Sequence, residues 1–126
     1  MMLPPAVSAE RRDGVQVVHV KGEVDIANGK AVHAAVTTAV SIGPAPVLID
    51  LSQTTYLDSV GVHMLFEVAA DLNVEQRLVG LIVPEGAPIR KVLAITKVDE
   101  RVPVYHSLEE AILNSHRSPS ALTPPR

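Results

Sequence analysis

The segment Val47-Leu-Ile-Asp-Leu51 constrains the fold more than any other part of the chain: it is short, apolar at every position but the aspartate, and preceded by the helix-breaking pair Gly43-Pro44. A strand covered on one face only alternates apolar with polar residues, so a nearly unbroken apolar run of this length marks a central strand with helices packed on both faces. Such strands belong to mostly parallel sheets, whose neighbouring strands must be joined by crossovers that are usually helical.

The flanking sequence supplies those helices. Val15-Gln-Val-Val-His-Val20 is rich in β-branched residues and follows Asp13-Gly14, the pair that favours a tight hairpin because glycine tolerates positive φ. Residues 6 to 12 and 15 to 21 are therefore predicted to pair as antiparallel strands. From Asn28 onward, Val32, Ala35, Val36, Ala39 and Val40 share one helical face, with Asn28 placed to cap the free N–H groups and the helix running to about Ile42. A polar loop is expected over residues 52 to 58, after which Val62, Leu65, Phe66, Ala69 and Leu72 mark a second helix that begins at Ser59.

Leu78-Val-Gly-Leu-Ile-Val83 is a further strand, and Pro88 sits in the first turn of a third helix carrying Ile89, Val92, Leu93 and Thr96. A brief strand over residues 102 to 105 precedes Ser107-Leu-Glu-Glu110, a capping box opening a short fourth helix. The order predicts an α/β fold: a mostly parallel central sheet of about five strands, an N-terminal hairpin strand and four helices. With 126 residues and 47% hydrophobic content, the chain can bury about two-thirds of its unfolded surface in one domain. That domain is expected over residues 1–114, with 115–126, which hold three of the ten prolines, as a flexible tail.

Several functions are argued against by composition. Two Tyr, one Phe and no Trp leave little to stack on bases, and a net charge of −3 with scattered Lys and Arg gives no basic field for nucleic acid or an anionic membrane. There is no cysteine, hence no disulfide or thiolate site. No stretch approaches the ~18 apolar residues of a membrane span and the start of the chain lacks a secretory pattern, so a cytoplasmic location is expected. His19, His33, His63, His106 and His116 show no pair at ligand spacing, and neither a metal nor another cofactor is expected. Neither a G-x-S-x-G elbow nor a phosphate-binding G-x-x-x-x-G-K-[ST] loop occurs. A nucleophile reading of Ser59 would need His63 as its base, and no third group to orient the pair is evident.

The local feature that stands out is Thr54-Thr-Tyr-Leu-Asp-Ser-Val-Gly-Val62, where two hydroxyls, a carboxylate, a serine and a glycine meet at a helix start. Unpaired N–H groups there favour an oxygen of Asp58 or Ser59 and would also accept a phosphate, while Gly61 would let a partner backbone approach. On these residues alone, a plain helix cap and a functional serine are both open readings.

Tyr56-Leu-Asp-Ser-Val-Gly-Val62 resembles the "MDSSGL" phosphorylation motif of bacterial anti-sigma-factor antagonists, which are STAS domains. Lys21-Gly-Glu-Val-Asp-Ile-Ala-Asn28 is similar to the family's "GELD" junction, and residues 83 to 112 to its C-terminal third, so the resemblance covers about residues 6 to 113. It departs in two places: Val60 replaces the motif's second serine, and Lys97 stands where relatives often have a glycine suited to a left-handed helix ending.

The resemblance implies a STAS fold and a non-enzymatic switch. The unphosphorylated protein would bind an anti-sigma factor that is also a serine kinase and so free its sigma factor. Phosphorylation of Ser59, using ATP and magnesium held by the kinase, would break that complex, and a serine phosphatase would restore it. Asp25, Asn28, Asp58, Ser59, Val60, Gly61 and Met64 are the implied partner-binding residues, and the protein is expected to be a monomer or weak dimer. The alternative is an interaction module of the same fold in a transporter or a stress-sensing scaffold.

Overall fold

A computed structural model describes residues 6–40 and 42–115 of the chain. The elements are β1 (Ala6–Arg12), β2 (Val15–Val24), α1 (Gly29–Ala39), β3 (Val47–Asp50), β4 (Thr54–Leu57), α2 (Ser59–Val74), β5 (Val79–Ile82), α3 (Pro88–Ile95), a 3₁₀ turn (Val98–Glu100), β6 (Val104–Tyr105) and α4 (Leu108–Ser115). The sheet runs β1-β2-β3-β5-β6, with β4 also on β2, and every pairing is parallel except β1 with β2. The predicted α/β architecture with four helices is present, and the sheet has six strands where the sequence suggested about five.

The additional strand, β4, lies inside the segment expected to be a polar loop. β2 is long enough to serve two partners: residues 16 to 19 pair with β3, and Gly22, Glu23 and Val24 pair with Thr54, Tyr56 and Leu57. Within the β2–β4 pairing the register shifts between Gly22, whose φ is +96°, and Glu23, where β4 carries Thr55 as an extra residue. The buried Thr54 hydroxyl donates to the Val20 carbonyl at 2.7 Å, so the polar side chain that suggested a loop is satisfied within the sheet.

At the hairpin, Asp13 and Gly14 both have positive φ, 52° and 79°, as a tight two-residue turn between right-twisted strands requires. α1 ends at Ala39 instead of about Ile42, because Val40 turns extended and the Gln16 side chain donates to the Ala39 carbonyl at 2.8 Å. Asn28 does not cap α1. Its side-chain oxygen accepts from Asp25 N–H at 2.9 Å and its amide donates to the Glu23 carbonyl at 2.8 Å, so the loop uses the group the helix would have needed. Ser115, expected in the tail, is the last residue of α4 and buried; residues 116–126 lie outside the described residues.

Helices α1, α2 and α3 cover one face of the sheet, where Val32, Val36, Leu65, Val68, Ile89 and Leu93 pack on Val18, Val20, Ile49 and Leu81. α4 covers part of the other face, with Ala111 and Ile112 on Val15, Leu48, Ile82 and Tyr105. Toward β1 that second face is polar. His19 Nδ1 lies 2.6 Å from Asp50 Oδ2 and Nε2 lies 2.8 Å from Glu10 Oε2, and Arg12 pairs with Glu10 at 2.8 Å. A neutral imidazole has one N–H, so bonds to carboxylates at both nitrogens require the doubly protonated ring.

Burial alone would lower the His19 pKa, but the hydrogen bonds to Glu10 and Asp50 outweigh it and hold the ring above its ordinary value. The bond from His19 holds Glu10 below the ordinary carboxylate value, against a smaller opposing effect of burial. For the raised histidine, the stabilisation is present in full below the ordinary imidazole range and lost as pH rises through its folded value. For Glu10 it is present above the ordinary carboxylate range and lost as pH falls through its lowered value. Urea midpoints measured from about pH 5 to about pH 9 are therefore expected to decline as pH rises from the ordinary imidazole range through the raised value of His19, and His19→Gln to flatten that decline. An unchanged slope in the variant would show that the bridge across β1, β2 and β3 adds nothing to stability.

Candidate functional site

The carboxyl ends of β2 and β4 lie side by side, so the loop after β2 and the start of α2 meet at one edge of the sheet. Asp58 joins them. One carboxylate oxygen accepts from Val60 and Gly61 N–H at 2.9 and 3.1 Å, capping α2, and the other accepts from Ile26 N–H at 3.0 Å across 32 residues of chain. The Asp58 backbone N–H also reaches the Val24 carbonyl at 3.3 Å. Two of the helix-start donors that the sequence offered to a phosphate on Ser59, the N–H groups of Val60 and Gly61, are thus already held by Asp58.

Asp25 lies at this end of the sheet and organises its own loop. Its carboxylate accepts from Ala27 and Asn28 N–H, and its carbonyl accepts from Gly29 N–H at 2.7 Å. The result is a compact turn that presents Ile26 outward, 81% exposed. Ser59 is exposed at the first residue of α2, and Tyr56, at the end of β4, is 48% exposed. Ile26 and Tyr56 were not among the residues singled out from the sequence, although an isoleucine between Asp25 and Ala27-Asn28 in a polar loop is a readable signal of an exposed apolar contact.

Two residues expected to face a partner do not. Met64 is 3% exposed and belongs to the core, because α2 is covered by the sheet on one side and by α1 on another. Gly61 is buried as well, and its missing side chain serves internal packing: a Cβ there would come within 2.5 Å of Leu57 Cδ1 and 3.1 Å of the Val24 carbonyl oxygen. Val60 is half-buried beside α1, where a Cβ on Gly29 would meet its Cγ1 at 2.5 Å. Gly61→Ala is accordingly expected to cost about 1–2 kcal/mol, read as a lower urea midpoint, since the Val24 backbone cannot yield as a side chain can. A midpoint equal to wild type would mean that α2 shifts freely and that Gly61 is not the reason for its close seat.

His63 follows Ser59 by one helical turn and is exposed. Its Nε2 lies 2.8 Å from Glu67 Oε1, so the ring engages the next turn of the helix instead of forming a nucleophile–base pair with Ser59. Across the seam, His33 Nδ1 of α1 lies 3.9 Å from Glu67 Oε2. Among the described residues, no group of three or more side chains is placed to hold a metal ion, and no helix is long and apolar enough to cross a membrane.

The STAS domain model matches residues 6–111. The chain is 26% identical over 106 residues to the anti-sigma-F factor antagonist RsfB of Mycobacterium tuberculosis, covering 84% of this chain and 85% of that one. The crystal structure of an anti-sigma factor antagonist from Mycobacterium paratuberculosis is 30% identical with a TM-score of 0.79, covering 90% of this chain and 95% of that one. The anti-sigma factor antagonist SpoIIAA in its unphosphorylated form shares the fold, with a TM-score of 0.65 at 22% identity over 85% of this chain and 93% of its own.

Proposed function

Because the chain belongs to the STAS domain family, we propose that it is a cytoplasmic anti-sigma factor antagonist switched by phosphorylation of Ser59, and that it acts as a substrate and docking partner, not as an enzyme. Unphosphorylated, it binds an anti-sigma factor that is also a serine kinase, and the sigma factor is released. In the transfer, the Ser59 Oγ bonds to the γ-phosphorus of the kinase's ATP as the bond to the β–γ bridging oxygen breaks. ADP leaves and the hydroxyl proton passes to a base of the kinase. A serine phosphatase reverses the mark by hydrolysis.

The observation that carries this reading is the setting of Ser59: an exposed hydroxyl on the first residue of a helix, beside a loop that is fastened to the same helix start by Asp58 and holds Ile26 out to solvent. An apolar residue next to a hydroxyl is suited to docking followed by expulsion, because a phosphate added there brings about −1.5 to −2 charges that an apolar contact cannot solvate. The mark also falls next to Asp58, whose carboxylate already occupies the N–H groups of Val60 and Gly61, so these two donors are not free to absorb the new charge. The docking surface consists of Asp25, Asn28, Asp58, Ser59 and Val60 with Ile26 and Tyr56, while Gly61 and Met64 support it from beneath.

Incubation with a cognate anti-sigma kinase and magnesium ATP, followed by peptide mass spectrometry, tests the reading. One phosphate is expected, on Ser59, and none on Ser59→Ala. A phosphate on another residue, or none on the wild type, would remove Ser59 as the switch.

A further inference from the structure

The positive end of α2 is committed to Asp58, which leaves open what would neutralise a phosphate on the neighbouring Ser59. Over its whole length, Ser59–Val74, α2 contains no lysine or arginine, and His63 is its only basic residue. Residues four apart on a helix lie about 5–6 Å from one another at Cβ, and helical side chains lean toward the N-terminus, so the patch that His63 covers is the turn of Ser59.

In the unphosphorylated chain His63 instead engages Glu67, one turn further on. That order is the weaker one, because a base N-terminal to an acid opposes the helix dipole, whereas an acid N-terminal to a base agrees with it. A phosphate at Ser59 would offer His63 a partner on the favourable side, with nearly twice the charge of a carboxylate and three acceptor oxygens. Glu67, once released, has His33 of α1 at 3.9 Å to turn to. The charged and titratable side chains around this stripe are Asp25 and Asp58 at the helix start, Glu67 on α2, and Lys30 and His33 on α1.

We propose that His63 is the reader of the phosphate: on phosphorylation of Ser59 its ring leaves Glu67 and donates a charge-assisted hydrogen bond to the phosphoryl oxygens, and Glu67 passes to His33 across the α1–α2 seam. The inference rests on Ser59 as the phosphorylated residue and assigns the regulation of that site to a second side chain. It makes the modification more than an added repulsion, because the mark rearranges a chain of side chains that reaches from the docking edge to a second helix.

The test uses the full chain carrying phosphoserine at position 59, introduced during synthesis so that no kinase is needed. The second proton of a phosphoserine leaves at about pH 6. By phosphorus NMR, the wild-type phosphate is expected to lose that proton about half a unit lower than in His63→Gln, a roughly threefold change in the ionisation constant. The ring nitrogens of His63 are expected to shift between the unmodified and phosphorylated wild-type chains. Lys30→Gln should leave the phosphate titration as in wild type. Equal titration in wild type and His63→Gln, or displacement by Lys30→Gln in its place, overturns the proposal. Because the phosphate is installed directly, a kinase that ignores Ser59 would defeat the functional reading and leave this result standing, and the reverse also holds.

Discussion

Ser59→Asp is expected to bind a cognate anti-sigma kinase at least about a hundredfold more weakly than the wild type, a loss of about 3 kcal/mol, while unfolding at nearly the same denaturant midpoint. Ser59→Ala is expected to bind as the wild type does and to keep binding in the presence of ATP. The magnitude follows from position. Ser59 is exposed at the first residue of α2, so an acidic side chain there costs the free fold little. In a complex the same carboxylate would have to shed water beside Ile26 and Val60, and the N–H groups of Val60 and Gly61 cannot replace that water because Asp58 holds them. Binding measured by calorimetry and stability measured in urea separate the two effects. Equal affinities for the acidic variant and the wild type would mean that charge at this position does not control docking.

Asp58→Ala is expected to lower stability by about 2 kcal/mol, the upper end for loss of a helix N-cap, and to loosen the loop after β2. The substitution strands the N–H groups of Val60 and Gly61 and frees that of Ile26, three donors that now share one carboxylate. Amide exchange over residues 25 to 28 should accelerate with the drop in midpoint, since Ile26 is the far end of the tether. Asp58→Asn keeps an acceptor oxygen and is expected to retain most of the stability, because asparagine caps helices about as well as aspartate. If Asp58→Ala lowered the midpoint without changing exchange in the loop, Asp58 would be a cap and nothing more.

Much of this architecture is legible in the sequence because short-range chemistry sets it. The Asp13-Gly14 turn needs positive φ at both residues and has it, Pro88 opens α3, and Ser107 Oγ accepts from Glu110 N–H at 3.2 Å, one half of the expected capping box, while the Glu110 carboxylate accepts from His106 N–H in place of Ser107 N–H. Lys97 does adopt the left-handed conformation that suits glycine better, with φ of 63°, at the junction the departure from the family pattern pointed to. Ser59 as the opening residue of α2 was readable for the same local reason: Asp58 before it is a strong cap.

What could not be read depends on neighbours distant in the chain. Thr54-Thr-Tyr-Leu57 has good strand formers, but nothing local shows that β2 continues past β3 and leaves an edge for them. The spacing of Met64 fits either a helix flank or a core position, and only the placement of α1 beside α2, with Gly29 against Val60, decides for the core. Asn28 has the chemistry of a cap, yet the end of β2 brings the Glu23 carbonyl within its reach and the loop wins. The pairing of Glu10 and Asp50 around His19 needs the register of three strands at once, which no periodicity supplies.

The measurement that bears most directly on the central claim takes one preparation of the wild-type chain and titrates it with the anti-sigma kinase before and after stoichiometric phosphorylation, in buffer without ATP. Tight association that weakens by two or more orders of magnitude with the phosphate, and returns when the phosphate is removed, is the predicted result. Affinity that stays the same through the cycle would contradict the account.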